Sequence, residues 1–324
     1  MSARTRISLL VAVVAVAAAG VTVGATLLTR AGGGETAAGV RPRPGSPELD
    51  LDLGVRTDAE AVALRRASAL YGRRRYRAAL AIFRRYRTLE ARVGAALSAW
   101  PDGFPALAQL AREHPRSGLV QLELGLAYYW QGKLPQAQAA WRRAARVQPD
   151  TSYAVRAADL LHPRYVPGLP PFVPSFGAPK ALDRLSPPQQ VAWLAARARR
   201  GGARDKLLYG VALQGLGRPV SAEREFAAAA ALAPHDADAQ VAAAVGLFDK
   251  ARPAAAFSRL GPLTRTFPHA AIVRFHLGLL LLWIDEIAKG KAELRRVIAE
   301  GTEPFAGYAR SFLAKLAASA QPRR

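Results

Sequence analysis

The chain contains 324 residues, no cysteine and a formal net charge of +22, most of it from arginine. The lack of cysteine excludes disulfide bonds, cysteine-ligated zinc sites and cysteine nucleophiles. So large a positive charge attracts anions to the surface unless it is spread and solvated. The length would suit two ordinary domains, although a repeat array grows along one axis and makes length a poor guide to domain number.

The chain begins with an apolar stretch, Ile7–Leu28, that contains no charged side chain. At about 1.5 Å per residue, a helix over this stretch would cross a hydrocarbon layer about 30 Å thick. The small residues Ala17, Ala18 and Ala19 would suit cleavage of a signal peptide, but the apolar run continues past them. We therefore predict that residues 1–30 form an uncleaved single-pass membrane anchor. The alternative is a protein secreted after signal cleavage.

The rest of the chain is predicted to lie outside the cytoplasm. The tail before the apolar stretch is short and is most simply left in the cytoplasm. The charges on the two sides of the stretch are nearly balanced, with Arg4 and Arg6 before it and Arg30, Arg41 and Arg43 after it. Residues 31–55 are rich in glycine, proline and scattered charge, which predicts a flexible linker.

Residues 118–151 have the pattern of two short amphipathic helices. Apolar side chains recur at spacings of three and four, which places them on one face of each helix. They are Leu119, Leu122, Leu126 and Tyr129 in the first helix, and Ala137, Trp141 and Ala144 in the second. Gly132 can end the first helix because a residue without Cβ turns left-handed at little cost. Pro149 cannot continue a helix and closes the unit.

This pattern recurs in phase over residues 203–236, 237–270 and 271–304. The recurring positions hold Leu213, Gly217, Ala222, Phe226, Ala229 and Pro234, then Ala244, Ala256, Leu260, Leu263 and Pro268, then Gly278, Leu281, Gly290, Leu294 and Val297. The pattern resembles the tetratricopeptide repeat. The resemblance implies an all-α, right-handed solenoid of helix pairs over residues 56–318, with a capping helix at 305–317 before a basic tail at 319–324.

The first helix pair of the array is dense in arginine. Its basic residues are Arg65, Arg66, Arg73, Arg74, Arg75, Arg77, Arg84 and Arg85. They could form a docking face for anionic lipid headgroups or an anionic envelope polymer. The alternative is a solvated helix face. The cluster lacks interleaved exposed aromatic residues and a nucleic-acid motif, which argues against nucleic acid as a partner.

An insertion of proline and aromatic residues interrupts the array at about residues 163–186. Its six prolines between positions 163 and 179 exclude a helix and a central strand, so we expect an extended course. The residues Tyr165, Phe172, Val173 and Phe176 could lie in the groove of the array or contact a partner. Alternatively, they only pin a long loop onto neighbouring helices.

The tetratricopeptide resemblance also implies where a ligand would bind. In that family the first helices of the pairs line a concave groove. The corresponding groove positions in this chain are Glu123, Tyr129, Trp130, Arg204, Gln214, Asp238, Phe248, His276, Leu282 and Trp283. Aromatic residues with isolated charges suit an extended peptide or a helix of a partner protein. The alternative is that the aromatic residues pack between successive helices.

The sequence offers no pattern typical of an enzyme. None of the five histidines has the helical metal-ligand spacing with a carboxylate, and neither a glycine-rich phosphate loop nor a Ser-His-Asp arrangement can be proposed. We therefore predict a non-catalytic protein-binding scaffold at the membrane, without a cofactor. The alternative function is binding of anionic polymer or lipid by the arginine-rich pair.

Overall fold

The computed structural model describes residues 43–319, and all the regular secondary structure in that range is helical. The fifteen α-helices are α1 (Ala59–Gly72), α2 (Tyr76–Phe83), α3 (Leu89–Ser98), α4 (Phe104–Glu113), α5 (Gly118–Trp130), α6 (Leu134–Val147), α7 (Ser152–Leu161), α8 (Pro187–Arg200), α9 (Ala203–Gly215), α10 (Pro219–Leu232), α11 (Ala237–Gly246), α12 (Ala254–Thr266), α13 (Ala271–Trp283), α14 (Ile287–Glu300) and α15 (Phe305–Ser319). A short 3-10 helix covers Lys180–Arg184.

The described residues fall into two compact units. The N-terminal unit comprises residues 43–161 with helices α1 to α7, and the C-terminal unit comprises residues 162–319 with helices α8 to α15. The division separates α7 from α8, the helices on the two sides of the insertion at about residues 163–186. The predicted membrane anchor at residues 1–30 lies outside the described residues. No helix in the described part of the chain is long and apolar enough to span a membrane.

Local sequence explains where several of these helices begin. Asp58, Ser117 and Asp236 each accept a hydrogen bond from the backbone N–H three residues later, at the start of α1, α5 and α11. These side chains satisfy an N–H that has no partner within the helix. Helices α4, α6, α8 and α10 instead carry proline in their first turn, where its missing N–H costs nothing.

Close contacts between a glycine and a large side chain hold helix pairs together. A Cβ atom on Gly125 in α5 would lie only 2.4 Å from the indole of Trp141 in α6. A Cβ atom on Gly210 in α9 would lie 2.3 Å from the ring of Phe226 in α10. In both pairs the large residue follows the glycine by the same interval along the chain. The described residues therefore contain helix pairs that repeat the same close contact.

The first helices of successive pairs also lie side by side. In the N-terminal unit α1, α3, α5 and α7 contact one another in sequence, and in the C-terminal unit α9, α11, α13 and α15 do the same. We call the face of α1, α5 and α7 that contacts residues 43–53 the N-terminal groove. We call the face of α9, α11 and α13 that contacts residues 166–176 the C-terminal groove.

Candidate functional site

The N-terminal groove holds residues 43–53 of the same chain. The backbone N–H of Arg43 donates to the carbonyl oxygen of Trp130, the last residue of α5, at 2.8 Å. The Arg43 guanidinium lies 4.0 Å from the centre of the Tyr129 ring and donates to its hydroxyl. Seven residues later, the N–H of Asp50 donates to Oε1 of Glu123 at 2.8 Å. Residues 43–53, which the composition predicts to be linker, are thus docked against α5.

Further contacts fix the middle of this segment. The hydroxyl of Tyr71 in α1 donates to the carbonyl oxygen of Pro47 at 2.6 Å. Arg156 in α7 forms a salt bridge of 2.8 Å with Glu48. These side chains come from helices on both sides of α5, so the segment ties α1, α5 and α7 together.

The end of the segment lies at the start of α7. The N–H of Asp52 donates to the hydroxyl of Tyr153 at 3.0 Å. The hydroxyl of Ser152 donates to Oδ2 of Asp52 at 2.8 Å. Leu53 then enters the hydrophobic core of the N-terminal unit, where it is buried.

Glu123 is a completely buried carboxyl group at the floor of the N-terminal groove. Burial raises the pKa of Glu123 well above its ordinary value, the Asp50 N–H lowers it, and the Asp50 carboxyl raises it again. Burial likewise raises the pKa of Asp50, against the opposing effect of Arg156. Oε2 of Glu123 accepts no hydrogen bond from any residue that the structure describes. A buried carboxyl group with one unsatisfied oxygen therefore lies next to the partly buried Asp50.

The C-terminal groove holds residues 166–176 of the proline-rich insertion. The N–H of Val166 donates to the carbonyl oxygen of Trp283, the last residue of α13, at 3.1 Å. The buried ammonium of Lys250 donates to the carbonyl oxygen of the same Val166 at 2.6 Å. Seven residues later, the N–H of Val173 donates to Nε2 of His276 at 2.9 Å.

Side chains of α9 and α11 bind the rest of this segment. The N–H of Phe172 donates to Oε1 of Gln214 at 2.9 Å. The N–H and the hydroxyl of Ser175 both donate to Asp238, at 2.6 and 2.7 Å. The guanidinium of Arg204 lies 4.0 Å from the centre of the Phe176 ring.

His276 is buried and uncharged in the C-terminal groove. The Val173 N–H can only donate, so Nε2 carries no proton, and Nδ1 donates to the carbonyl oxygen of Ile272 at 2.8 Å. Burial lowers the pKa of His276 to about 4. The ring of Phe172 stacks against His276 with 5.3 Å between the ring centres.

The groove residues predicted from sequence mostly contact these two segments. Eight of them do so through the contacts described above, and the other two, Phe248 and Leu282, are buried in the hydrophobic core of the C-terminal unit. The Trp283 side chain is buried in the same core, and its backbone carbonyl makes the contact. In the insertion, Phe172 and Val173 are buried and Phe176 packs against the core. The role of the groove residues in binding a partner stays a prediction.

Several residues of the grooves were missed by sequence reasoning. They are Tyr71, Ser152, Tyr153, Arg156 and Lys250, together with the docked residues 43–53. A recurring Pro-Gly-x-Pro pattern at residues 44–47 and 167–170 was a usable signal for the two segments. The side chains that bind them carry no such signal, because each contact is made to backbone or to a single polar atom.

The arginine-rich face comprises the eight predicted arginines of α1, of α2 and of the turns that follow these helices. All the basic residues predicted for it are exposed. Arg65 donates to the carbonyl oxygens of Gly54 and Arg56. Within the described residues, none of the predicted basic residues of this face takes part in a salt bridge. No group of three or more histidine, aspartate or glutamate side chains in the described range is placed to hold a metal ion.

No protein-family model and no curated protein sequence matches the chain. Among solved structures, the APC/C hetero-tetramer Cut9-Hcn1 is similar over 81% of this chain and 53% of that chain, with 16% identity and a TM-score of 0.32. The TPR2AB domain of yeast Sti1 in complex with pHSP90 is similar over 81% of this chain and 98% of that one, with 12% identity and a TM-score of 0.31. Yeast Tom70 is similar over 86% of this chain and 69% of that chain, with 11% identity and a TM-score of 0.28. The chain spans about half the length of the first of these.

Proposed function

We propose that the protein is a non-catalytic scaffold that binds an extended segment of a partner protein along the first helices of its units. The observation that supports this function is that each unit holds an extended segment in its groove. In both grooves the last residue of a central helix offers its carbonyl oxygen, and a side chain seven residues earlier accepts a second N–H. A surface that binds one extended chain in this way is suited to bind another.

The physical basis of this binding is a carbonyl group at a helix end that has no partner within its own helix. The last carbonyl groups of an α-helix lack a partner within the helix, so Trp130 and Trp283 present acceptors to the groove. Contacts to the backbone of the bound segment give affinity that depends little on its side chains. Specificity then comes from the few side chains in contact, such as Arg204 over an aromatic ring.

A photo-crosslinking experiment tests this function. The photo-reactive residue p-benzoylphenylalanine replaces Tyr129 in the N-terminal groove, and in a control chain it replaces Arg142, an exposed residue of the second helix α6. After irradiation of intact membranes, we expect position 129 to capture partner proteins that position 142 does not. Capture of the same proteins from both positions would refute groove binding.

The membrane attachment is a separate part of the proposal. It rests on the apolar stretch Ile7–Leu28 and on the short tail before it, with the helical units outside the cytoplasm. The alternative is secretion after signal cleavage. Sequencing the amino terminus of the mature protein distinguishes them, because a chain that begins at Gly20 carries no anchor.

A second candidate function is docking on an anionic surface through the arginine-rich face of α1 and α2. It is favoured by the exposure of these arginines and by the absence of salt bridges to them among the described residues. Anionic lipid headgroups and anionic envelope polymers share the chemistry that such a face would bind.

A further inference from the structure

The two docked segments share a sequence pattern. Residues 43–53 read RPGSPELDLDL and residues 166–176 read VPGLPPFVPSF. Aligned on their first residues, both contain Pro-Gly-x-Pro, then a large apolar residue two positions later, Leu49 or Phe172, and another at the end, Leu53 or Phe176. The two grooves therefore hold related peptides.

The two segments also dock in the same register. The first residue of each donates its N–H to the carbonyl oxygen of a tryptophan that ends a helix. The eighth residue of each donates its N–H to a side chain seven positions before that tryptophan, Glu123 in one groove and His276 in the other. Two separate stretches of the chain thus donate hydrogen bonds to the same arrangement of two acceptors on a helix.

The glycine of the pattern is required by the distance between these acceptors. Seven residues of helix rise about 10 Å, whereas seven residues of polyproline-like chain extend about 22 Å. The segment must therefore turn between its two anchors. Gly45 has φ +85° and Gly168 has φ +77°, a left-handed conformation that other residues rarely adopt.

The two segments differ in how well they fit. In the C-terminal groove, Pro170 to Val173 are buried in succession and the eighth residue is the uncharged Val173. In the N-terminal groove only Pro47 and Leu53 are buried. Its eighth residue is Asp50, whose carboxyl lies near that of the buried Glu123. The N-terminal segment is consequently less buried in its groove than the C-terminal segment, and it alone places a carboxyl group beside a buried acid.

Glu123 shows what a better ligand would supply. Its Oε2 is buried and accepts no hydrogen bond within the described part of the chain. A buried acceptor that is left unsatisfied costs about 1 to 3 kcal/mol. An uncharged residue in place of Asp50 removes the cost of ionising two neighbouring carboxyl groups, and an amide there offers a donor for Oε2.

We propose that the N-terminal groove is the docking site for an extended Pro-Gly-x-Pro segment of a partner protein with an uncharged eighth residue, and that residues 43–53 are a displaceable copy of that ligand. The inference rests on the proposed function and names the ligand of the same site. A second copy of this chain is a poor competitor, since it brings the same Asp50 and lacks the high effective concentration of the attached segment. A partner with a better eighth residue can overcome that advantage.

The test is a peptide-binding titration on the full chain in a neutral detergent. The probe is fluorescein-labelled RPGSPELNLDL, which has the sequence of residues 43–53 with asparagine in place of Asp50. Gly45→Val undocks the attached segment, since a β-branched residue does not adopt its φ. Asp50→Asn improves the fit of the attached segment. We expect the peptide to bind Gly45→Val about tenfold more tightly than wild type, and Asp50→Asn about tenfold more weakly.

The controls separate displacement from loss of structure. Helical content by circular dichroism should be the same in the three chains, and a peptide with valine in place of its glycine should bind none of them. Equal affinity for all three folded chains would show that residues 43–53 are a fixed part of the unit and would overturn the proposal. Exchange of these segments between chains, seen as dimers by sedimentation, would overturn it too.

Failure of the ligand pattern can be distinguished from failure of the proposed function by adding the peptide to the crosslinking experiment. If position 129 captures partners and excess peptide does not reduce that capture, the groove binds proteins and only the ligand pattern is wrong. If position 129 captures nothing specific, the proposed function itself fails.

Discussion

One position in each groove decides how the docked segment responds to pH. Glu123 and His276 both lie seven residues before the tryptophan that ends their helix, and both accept an N–H from the segment. Burial favours the uncharged form of each. Because Glu123 is an acid and His276 is a base, a change of pH should affect the stability of docking in opposite directions in the two grooves.

We predict that docking in the N-terminal groove weakens as the pH rises. The pKa of Glu123 is raised in the folded protein, so its contribution is complete below the ordinary carboxyl value of 4.5 and is lost as the pH rises through the raised value. The raised pKa of Asp50 acts in the same direction. Amide hydrogen exchange of residues 48–53 should therefore accelerate with pH beyond its intrinsic pH dependence. Glu123→Gln should remove most of this excess, and an unchanged excess would contradict the assignment.

The C-terminal groove should instead weaken in acid. The pKa of His276 is lowered from 6.5 to about 4, so its contribution is complete above 6.5 and is lost as the pH falls through about 4. The full difference corresponds to about 3 kcal/mol of unfolding free energy. Denaturant titrations across this range measure it. His276→Gln should flatten this acid dependence, whereas substitution of the exposed His269 should leave it unchanged.

At the scale of the helix pair, one turn recurs four times. The second residue after α1, α5, α9 and α13 has positive φ, and it is Arg74, Gly132, Gly217 and Asp285 respectively. In each turn the next N–H donates five residues back, as Arg75 does to Leu70. This is the Schellman geometry that ends many helices and that favours glycine. Two of the four turns use a side-chain-bearing residue at a strained position.

We predict that Arg74→Gly stabilises the N-terminal unit. Arg74 has φ 60°, and a left-handed conformation costs a residue with a side chain about 1 to 2 kcal/mol. The greater freedom of glycine in the unfolded chain offsets part of this, which leaves a gain of up to about 1 kcal/mol. Urea unfolding monitored by circular dichroism measures the change. Arg73→Gly removes the same charge at φ −87° and should bring no gain. Equal effects of the two substitutions would contradict the role of the turn.

The helix pairs could be predicted from sequence because their signals are local. The spacing of Leu119, Leu122 and Leu126 predicts one face of α5, and that face is buried. Gly132 marks the end of that helix and has φ +77°. The interval from Gly125 to Trp141 recurs in another helix pair, because there too a glycine of the first helix lies against a large side chain of the second. Such regularities need only a few neighbouring residues to be recognised.

The docked segments could not be placed in the same way. An extended chain without a hydrophobic period gives no sign of the surface it contacts, and Arg43 meets Trp130 across a long stretch of sequence. Its composition alone is typical of a linker. The positions of Glu123 and His276 came from the family resemblance, whereas Lys250 follows the end of α11 in a loop and belongs to no recurring position.

At the scale of the whole chain, the net charge of +22 is not confined to the grooves. The groove residues include both signs, and several of their charges are paired with the docked segments. The arginines of α1 and α2 are exposed, and within the described residues they make none of these contacts. Binding of extended peptide and binding of anions therefore rest on different residues. The two functions are distinguishable because only the second depends on long-range charge.

We predict that the arginine-rich face binds polyanions in a salt-dependent way. The probe is fluorescein-labelled polyphosphate, titrated with the full chain in neutral detergent at increasing salt. One variant replaces Arg73, Arg74, Arg75 and Arg77 with glutamine, and a control variant replaces the exposed Arg199, Arg200, Arg259 and Arg265. At about 1 kcal/mol per arginine, the first variant should lose up to about a thousandfold in affinity, together with much of the salt dependence. An equal loss in the control variant would show that net charge alone, and not this face, attracts the polymer.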